Sequence, residues 1–78
     1  MKQEYEYEYL QLGLRIAYFR KLRGITQEEL AERIGRSPAY LGHVEAPNIS
    51  KAVSLDTLFD IARELDVPVY KFLIFEGP

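Results

Sequence analysis

The sequence predicts a small all-α domain of five helices, and three observations lead to this fold class. Apolar residues recur at intervals of three and four along most of the chain, which is the period of an amphipathic helix. Ser or Thr precedes several of these periodic stretches, and Gly or Pro follows them. The 78 residues are 47% hydrophobic and 28% charged, a balance typical of one globular domain and not of a disordered chain.

The first helix is predicted over residues 10–23. Gly24 follows its last turn, where a residue in the left-handed conformation commonly ends a helix. Most of the arginines in this stretch are expected on the side opposite the apolar face. The residues that form this apolar face at helical spacing are Leu10, Leu14, Ile16, Ala17, Phe19 and Leu22.

The second helix is predicted to begin after Thr26. Thr26 and Glu29 have the spacing of a capping box, in which each side chain accepts a hydrogen bond from the other residue's backbone N–H. Gly35 ends the helix, because a glycine adopts the conformation that reverses the chain without strain. The apolar face of this short helix is Leu30, Ala31 and Ile34.

The third helix is predicted to start with Ser37 as its N-cap and Pro38 at its first helical position. Pro47 disfavours a helical conformation at the residue before it, so this helix should stop near Glu45. Its buried side is expected to be Tyr40, Leu41 and Val44.

A loop over residues 46–53 leads to the fourth helix, predicted over residues 55–65 with Ser54 as its N-cap. After Pro68, residues 69–75 are dense in apolar side chains and form a last short helix or turn. The core stripe expected on the fourth helix is Leu55, Leu58, Phe59, Ala62 and Leu65.

Residues 1–9 are interpreted as an acidic, Tyr- and Glu-rich extension, and residues 10–78 as the helical domain. Tyr and Glu alternate over residues 5–9, and a period of two is typical of a strand. A frayed or helical extension of the first helix is the favoured interpretation, since termini are usually poorly fixed. An added strand, or a contact with a partner through the tyrosines, is the alternative.

The net charge of −2 conceals an uneven distribution. Residues 13–51 carry seven Lys or Arg and four Glu, a balance of +3, whereas residues 1–12 sum to −2 and residues 52–78 to −3. A basic middle is typical of a surface that meets nucleic acid, provided that the fold brings these charges to one face.

Composition excludes several kinds of site. The absence of cysteine excludes disulfides and thiolate zinc sites, and it is compatible with a cytoplasmic location. His43 is the only histidine, so no metal site with a second imidazole is expected. No nucleophile, paired carboxylate or glycine-rich phosphate loop indicates an enzyme or a cofactor. No apolar run reaches the length that spans a bilayer.

The segment after Thr26 has the pattern of two short helices joined by a tight turn with a glycine, the helix-turn-helix unit. Across residues 12–73, the chain resembles the Cro/cI-type (XRE-like) helix-turn-helix DNA-binding domains of phage repressors and bacterial regulators. The resemblance implies a five-helix, lambda-repressor-like DNA-binding domain. The segments that carry it read LGLRIAYFRKLRGITQEELAERIGRS, AYLGHVE and SLDTLFDIARELDVPVYKFL.

The resemblance also implies roles for individual residues. The helix that begins at Ser37 would be the recognition helix in the major groove, with Tyr40 near the DNA backbone. Gln27 would meet a phosphate and brace this helix, and Arg20 would pair with Glu45 beside the backbone. The groove-facing positions would be Pro38, Ala39, Gly42 and His43.

The chemistry of these residues predicts modest direct reading of bases. His43 can donate to guanine, and Ala39 can contact a thymine methyl group, whereas Pro38 offers no side-chain hydrogen bond. DNA shape is therefore expected to contribute to specificity. The residues that flank the recognition helix and are expected to reach phosphates are Arg36, Ser37, Asn48, Ser50 and Lys51.

The favoured function is a sequence-specific, repressor-like transcriptional regulator that binds double-stranded DNA as a homodimer. The dimer is expected to form through the apolar C-terminal segment, residues 72–75, because one small module buries too little DNA for high specificity. The alternative is a protein-interaction module on the same fold, antitoxin-like or regulator-binding, with weak DNA binding. The two acidic ends of the chain favour this second hypothesis.

Overall fold

The computed structural model describes residues 2–75, in which helices joined by turns and loops are the regular structure and no strand occurs. The helices are α1 (Glu6–Leu22), α2 (Gln27–Arg33), α3 (Pro38–Glu45) and α4 (Leu55–Leu65). Short 3₁₀ turns occupy Gln3–Tyr5 and Val69–Leu73, and the second of these stands where a fifth helix or turn was predicted. Residue 1 of the predicted extension and residues 76–78 of the predicted domain lie outside the described range. The all-α class is confirmed.

The predicted N-caps are confirmed. The hydroxyl of Thr26 accepts from the backbone N–H of Glu29 at 3.1 Å, and the Glu29 carboxylate accepts from the N–H of Thr26 at 3.0 Å. Ser37 and Ser54 each accept a hydrogen bond from the backbone N–H three residues further on. These bonds satisfy amides that have no partner inside the helix, so the sequence itself sets where α2, α3 and α4 begin.

Three helices end through the same left-handed turn. Gly24 and Gly35 both have φ of +71°, as predicted for the ends of α1 and α2. Asp66 takes this conformation at the end of α4 with φ of +54°, although it carries a Cβ. The side chain of Arg23 donates to the backbone oxygens of Leu65 and Asp66, which ties the end of α1 to this turn. The carbonyl groups at the end of α4 thus gain a cationic partner.

A single core lies between the four helices, and the second 3₁₀ turn closes it. Phe72 from that turn is fully buried, and its ring packs edge-on against Phe19 of α1 with 5.1 Å between the ring centroids. In addition to Phe72, the largest fully buried side chains are Ile16, Leu30, Leu41, Val44, Leu58, Ile61 and Leu65. Apolar contacts of this kind supply most of the stabilisation of so small a domain.

Four residues predicted on apolar core faces are instead exposed: Leu14, Leu22, Leu55 and Phe59. Each lies on a helix whose apolar stripe is wider than the surface that neighbouring helices cover, so periodicity alone overstated the buried set. Arg20 departs in the opposite sense. Periodicity predicts most arginines of α1 away from the apolar face, yet Arg20 is only 7% exposed, because α1 presents it to α3, where the resemblance implied a pair with Glu45.

The Tyr- and Glu-rich stretch is helical, so the alternative of an added strand is wrong. Residues 6–9 form the first turn of α1, and Tyr9 is half-buried against the core. The hydroxyl of Ser50 donates to the backbone oxygen of Glu6 at 3.4 Å, which connects the loop after α3 to this turn. Within residues 2–75, no helix is both long and apolar enough to cross a membrane.

Candidate nucleic-acid interface

Helices α2 and α3 are joined by a four-residue turn that reverses the chain tightly. The N–H of Arg36 donates to the carbonyl of Ala31 at 2.8 Å, and Gly35 stands between them in the left-handed conformation. Ala31 is fully buried where the two helices meet. The seam between them is formed by Leu30, Leu41 and Val44, with Ile34 half-buried at its edge. The predicted helix-turn-helix unit is therefore present in the predicted register.

A buried ion pair fixes α3 against α1. The Nε and Nη2 atoms of Arg20 donate to the two carboxylate oxygens of Glu45, each at 2.7 Å. The Nη1 atom of Arg20 donates to the carbonyl of Ile25, also at 2.7 Å. The side-chain amide of Gln27 donates to Glu45 at 2.9 Å. This bidentate geometry sets both the position and the rotation of α3, because Arg and carboxylate meet well in only one plane.

The ion pair is compatible with burial because its hydrogen bonds are satisfied. The hydrogen bond to Glu45 raises the pKa of Arg20 above its ordinary value, and this effect exceeds the lowering of the pKa by burial. Among the described residues, no buried side-chain nitrogen or oxygen lacks a partner. A buried pair of this kind positions the helix more than it stabilises the fold, since desolvation offsets much of the attraction.

Gly13 makes the close approach of α1 to α3 possible, and the sequence reasoning missed this residue. A Cβ atom placed on Gly13 would overlap the carbonyl oxygen of Val44. The backbones of the two helices therefore meet at this point with no room for a side chain. The signal available in the sequence was a glycine inside a helical pattern, which costs about 1 kcal/mol relative to alanine and usually has a packing reason.

The outward side of α3 is open to solvent. Pro38, Ala39 and His43 are exposed, whereas Leu41 and Val44 on the opposite side are buried. Ser37, expected at a phosphate, accepts the N-terminal hydrogen bond of α3 with its hydroxyl. Of the four positions predicted to face the groove, these three are exposed and Gly42 is half-buried.

Two cations and an aromatic ring form a cluster beside the exposed side of α3. The Arg36 guanidinium carbon lies 4.6 Å from the ring centroid of Tyr40, and the Lys51 Nζ atom lies 5.8 Å from it. The Nη2 atom of Arg36 also donates to the hydroxyl of Thr57 at 3.0 Å. Tyr40 is half-buried, so its ring packs against the core and also contacts the two cations. Thr57 is a positioning residue that sequence reasoning did not single out.

The remaining candidate residues lie around this surface at different depths. Asn48 and Lys51 are exposed in the loop after α3, where a side chain is free to reach a phosphate. Gln27 is half-buried, with its oxygen over Gly42 and its nitrogen on Glu45, and this geometry braces α3. Arg20 is the candidate least able to meet a ligand, because three of its nitrogens already bind inside the protein.

The described residues offer no alternative chemistry at this surface. No group of three or more His, Cys, Asp or Glu side chains between residues 2 and 75 lies close enough to hold a metal ion. A cavity of about 410 Å³ lies elsewhere, where the apolar side chains of Tyr9, Leu58, Leu73 and Phe75 contribute to its lining. The best candidates for binding are therefore the exposed side of α3 and the cluster formed by Arg36, Tyr40 and Lys51 (the Arg36–Tyr40–Lys51 cluster).

Comparisons with known proteins agree with this geometry. A helix-turn-helix family model matches residues 16–72. The HTH-type transcriptional regulator SinR of Bacillus subtilis (strain 168) is 36% identical over 62 residues, which are 80% of this chain and 55% of SinR. The SinR of Bacillus licheniformis matches to the same extent. The chain thus spans about half the length of these relatives.

Comparison with solved structures also finds similarity to regulatory proteins. The restriction-modification controller protein C.AhdI from Aeromonas hydrophila has a TM-score of 0.79 at 27% identity, over 90% of this chain and 99% of that one. SinR, described as the master regulator for biofilm formation and solved in complex with DNA, has a TM-score of 0.73 at 35% identity. That match covers 81% of this chain and 98% of the other.

Proposed function

Because this chain belongs to the helix-turn-helix family, we propose that it is a DNA-binding transcriptional regulator, repressor-like in action, which places α3 in the major groove. The observation that carries the proposal is the contrast within α3. Its inner side is fixed by the Arg20–Glu45 pair, and its outer side is exposed beside two cations. The DNA complex of SinR, a protein of similar fold, supports this assignment.

Phosphate contacts would come from the Arg36–Tyr40–Lys51 cluster and the loop after α3. Arg36 and Lys51 carry the charge, and Asn48 adds a hydrogen-bonding group at the exposed loop. Gln27 would meet a phosphate at the start of α2 while it braces α3. Contacts to phosphates position the protein on the duplex and make the affinity depend on salt.

Base contacts would come from the exposed residues of α3. His43 is the one side chain there able to donate a hydrogen bond to guanine, and Ala39 offers a methyl group for thymine. Pro38 contributes shape but no donor. Because so few groups read bases directly, the deformability of the site would supply further specificity.

Selection of bound duplexes from a random pool tests the proposal, followed by titration of the enriched duplex at several salt concentrations. We expect one sequence to be enriched and its affinity to fall steeply with salt. Arg36→Ala should lower the affinity and reduce the salt slope by about one. Arg33→Ala is the matched control, because this substitution removes the same charge at an exposed position on α2, beside Glu29 and Glu32.

His43→Ala should change the preferred sequence and leave the salt slope unaltered. We expect it to lower the discrimination between bases at the position that His43 contacts by about 1–3 kcal/mol. The proposal fails if the wild-type protein binds the selected duplex no more tightly than a random duplex at low salt. Retention of one protein from the cell, with no enrichment of DNA, would support the protein-interaction module instead.

We further propose that the protein acts in the cytoplasm as a homodimer through its C-terminal apolar segment. Phe72 belongs to the core, but Leu73 and Ile74 are exposed. On α4, Leu55 and Phe59 are exposed too, at 62% and 49%, although their spacing predicted a buried stripe. An apolar surface of this kind is typical of a contact between protein molecules.

Sedimentation velocity over a range of concentrations tests this dimer. We expect Ile74→Glu to weaken association through this segment and so to lower the average size of the assemblies, because a charge would be buried without a partner. Lys71→Glu is a control on the same turn that changes charge without altering an apolar side chain. A two-fold dimer also predicts half-sites about 34 Å apart, one turn of DNA, in the selected duplexes. Unchanged sedimentation of Ile74→Glu would refute this surface.

A further inference from the structure

Helix α1 carries a second apolar stripe on the side that faces away from the core. Leu14, Tyr18 and Leu22 follow each other at intervals of four residues, and Tyr7 lies two turns earlier on the same side. Tyr18 is 57% exposed and Leu22 is 61% exposed. Because Leu12 and Ile16 are buried on the opposite side, α1 carries apolar side chains on two opposite sides. Helices with this pattern are normally covered on both sides.

This outer stripe (Tyr7, Leu14, Tyr18 and Leu22) is separate from the two surfaces already assigned. The side of α1 that contacts α3 is marked by Gly13 and Arg20. The cavity near the C-terminal segment is lined by Tyr5 of the preceding 3₁₀ turn and by Glu8, Tyr9 and Leu12 of α1. Since successive residues turn by about 100°, the outer stripe lies on a different side of α1 from both.

The charges along α1 indicate what covers the outer stripe. Its first turn carries Glu6 and Glu8, and Glu4 precedes them, all exposed. Its last turn carries the exposed Lys21, and Arg15 is half-buried in the middle. One end of the helix is therefore acidic and the rest is basic. The two ends of such a helix are complementary to those of a second copy that runs in the opposite direction, with Arg15 beside its own copy near the middle, whereas a parallel copy would place the two acidic ends together.

We propose that two copies of this protein pack α1 against α1 in antiparallel orientation through the outer stripe. The stripe runs from residue 7 to residue 22, so its centre lies between residues 14 and 15. Leu14 would then lie beside the two-fold axis, Leu22 opposite Tyr7 of the second copy, and Tyr18 opposite Gln11. Lys21 would lie beside the acidic start of the other α1, and the two helix dipoles would be antiparallel.

This contact differs from the C-terminal dimer in its consequence. A molecule with one self-complementary surface forms dimers and stops. With a C-terminal surface and an outer stripe on α1, each copy would contact two others, so assemblies would grow beyond the dimer. The α1 contact does not depend on DNA, and it is tested without any.

Disulfide cross-linking tests the geometry, and the lack of cysteine in the chain makes the experiment clean. We expect Leu14→Cys to form a covalent dimer under mild oxidation, because the two copies of residue 14 meet at the axis. Leu22→Cys alone should not cross-link, since its two copies would lie about 22 Å apart along the helices. A disulfide requires Cα atoms within about 7 Å. A mixture of Tyr7→Cys and Leu22→Cys should give the mixed dimer.

Arg33→Cys is the matched control, exposed on α2 and away from the outer stripe. The proposal is overturned if Leu14→Cys cross-links no faster than Arg33→Cys. It is equally overturned if Leu22→Cys cross-links with itself as readily as Leu14→Cys, because that result requires a parallel pair. Failure of DNA binding in the selection experiment would leave these outcomes unchanged, so the two proposals stand or fall separately.

Reversing charges on α1 provides a second test. It leaves the apolar residues of the outer stripe unchanged, so any change in self-association is due to charge. Lys21→Glu should weaken α1 self-association in sedimentation, whereas Arg33→Glu, with the same change of charge, should not. Mixing Lys21→Glu with the double variant Glu6→Lys and Glu8→Lys should restore association between the two different chains. Equal sedimentation of Lys21→Glu and Arg33→Glu would contradict the antiparallel arrangement.

Discussion

The two sides of α3 differ in almost every physical respect. On the inner side, Val44 and Glu45 are buried against α1, where each polar atom has a partner and the backbones approach without an intervening side chain. On the outer side, Ala39 and His43 are exposed to solvent. The inner side decides where α3 is, and the outer side is free to decide what it binds. Substitutions on the two sides should consequently separate stability from recognition.

The largest effect is expected from Glu45→Ala on the inner side. This change leaves the buried Arg20 without its carboxylate, and an uncompensated buried charge costs about 3–5 kcal/mol. Chemical denaturation should show a loss of that size in the free energy of unfolding. A loss below about 1 kcal/mol would mean that the pair is solvated and does not fix α3.

A double variant sharpens this prediction. Arg20→Met with Glu45→Leu removes both charges and keeps apolar volume, so stability should return close to that of the wild type. DNA affinity should nevertheless remain reduced, because α3 has lost the bidentate contact that sets its rotation. Full recovery of affinity would show that apolar packing alone is enough to place α3.

Gly13→Ala should have the next largest effect on stability. The added methyl group would overlap the Val44 carbonyl, and overpacking of this kind typically costs about 1–3 kcal/mol. Gly24→Ala is not a suitable control, because Gly24 has positive φ. Gly42→Ala is suitable, since its Cβ would meet the Gln27 oxygen at 3.8 Å, an ordinary contact. Equal melting temperatures for the Gly13 and Gly42 variants would contradict a close helix crossing.

Thr57→Val tests the outer side without touching the ligand surface. It removes the hydroxyl that accepts from Arg36 and from the Ser54 hydroxyl, and it leaves the Ser54 cap on the backbone N–H of Thr57 intact. A hydrogen bond to a charged group contributes about 1.5–3 kcal/mol, so the affinity for selected DNA should fall by about 10- to 150-fold at most. The salt slope should stay constant, because Arg36 keeps its charge; a reduced slope would mean that Arg36 no longer meets a phosphate.

The smallest effect is expected at the exposed start of α2. The backbone N–H of Thr26 donates to Glu29 and lowers the pKa of that carboxyl below its ordinary value. The resulting stabilisation is present above the ordinary carboxyl pKa and is lost as the pH falls through the folded pKa. Thermal unfolding between neutral pH and about pH 3 should therefore show wild type and Glu29→Gln converging at acid pH. Glu28→Gln, in the same turn, is the matched control, because it removes the same charge and leaves the Thr26–Glu29 hydrogen bonds in place.

Local signals in the sequence predicted where α2, α3 and α4 begin and where α1 and α2 end, but α1 starts at Glu6, four residues before its predicted start. Thr26, Ser37 and Ser54 cap their helices as expected, and Gly24 and Gly35 end theirs. These features depend on residues within one turn of each other, so no tertiary structure is needed to read them. The Arg20–Glu45 pair was also expected, but from the resemblance to a family and not from spacing.

Periodicity predicted which faces of the helices are apolar and overestimated how much of each face is buried. Leu14, Leu22, Leu55 and Phe59 follow the apolar pattern and yet reach the surface. The pattern records that a side chain is apolar, whereas burial depends on which neighbours the fold supplies. The same four residues now mark the two surfaces proposed for contacts between molecules.

The sequence by itself determined an all-α chain with capped helices, a tight turn between α2 and α3, and a basic middle between acidic ends. Only the tertiary structure decided that Gly13 lies against the Val44 backbone, that Thr57 holds Arg36, and which apolar residues stay exposed. The physical reason is range. Caps and turns form within a few residues, but contacts between α1 and α3, or between Arg36 and α4, join residues more than 20 positions apart. No local pattern encodes those contacts.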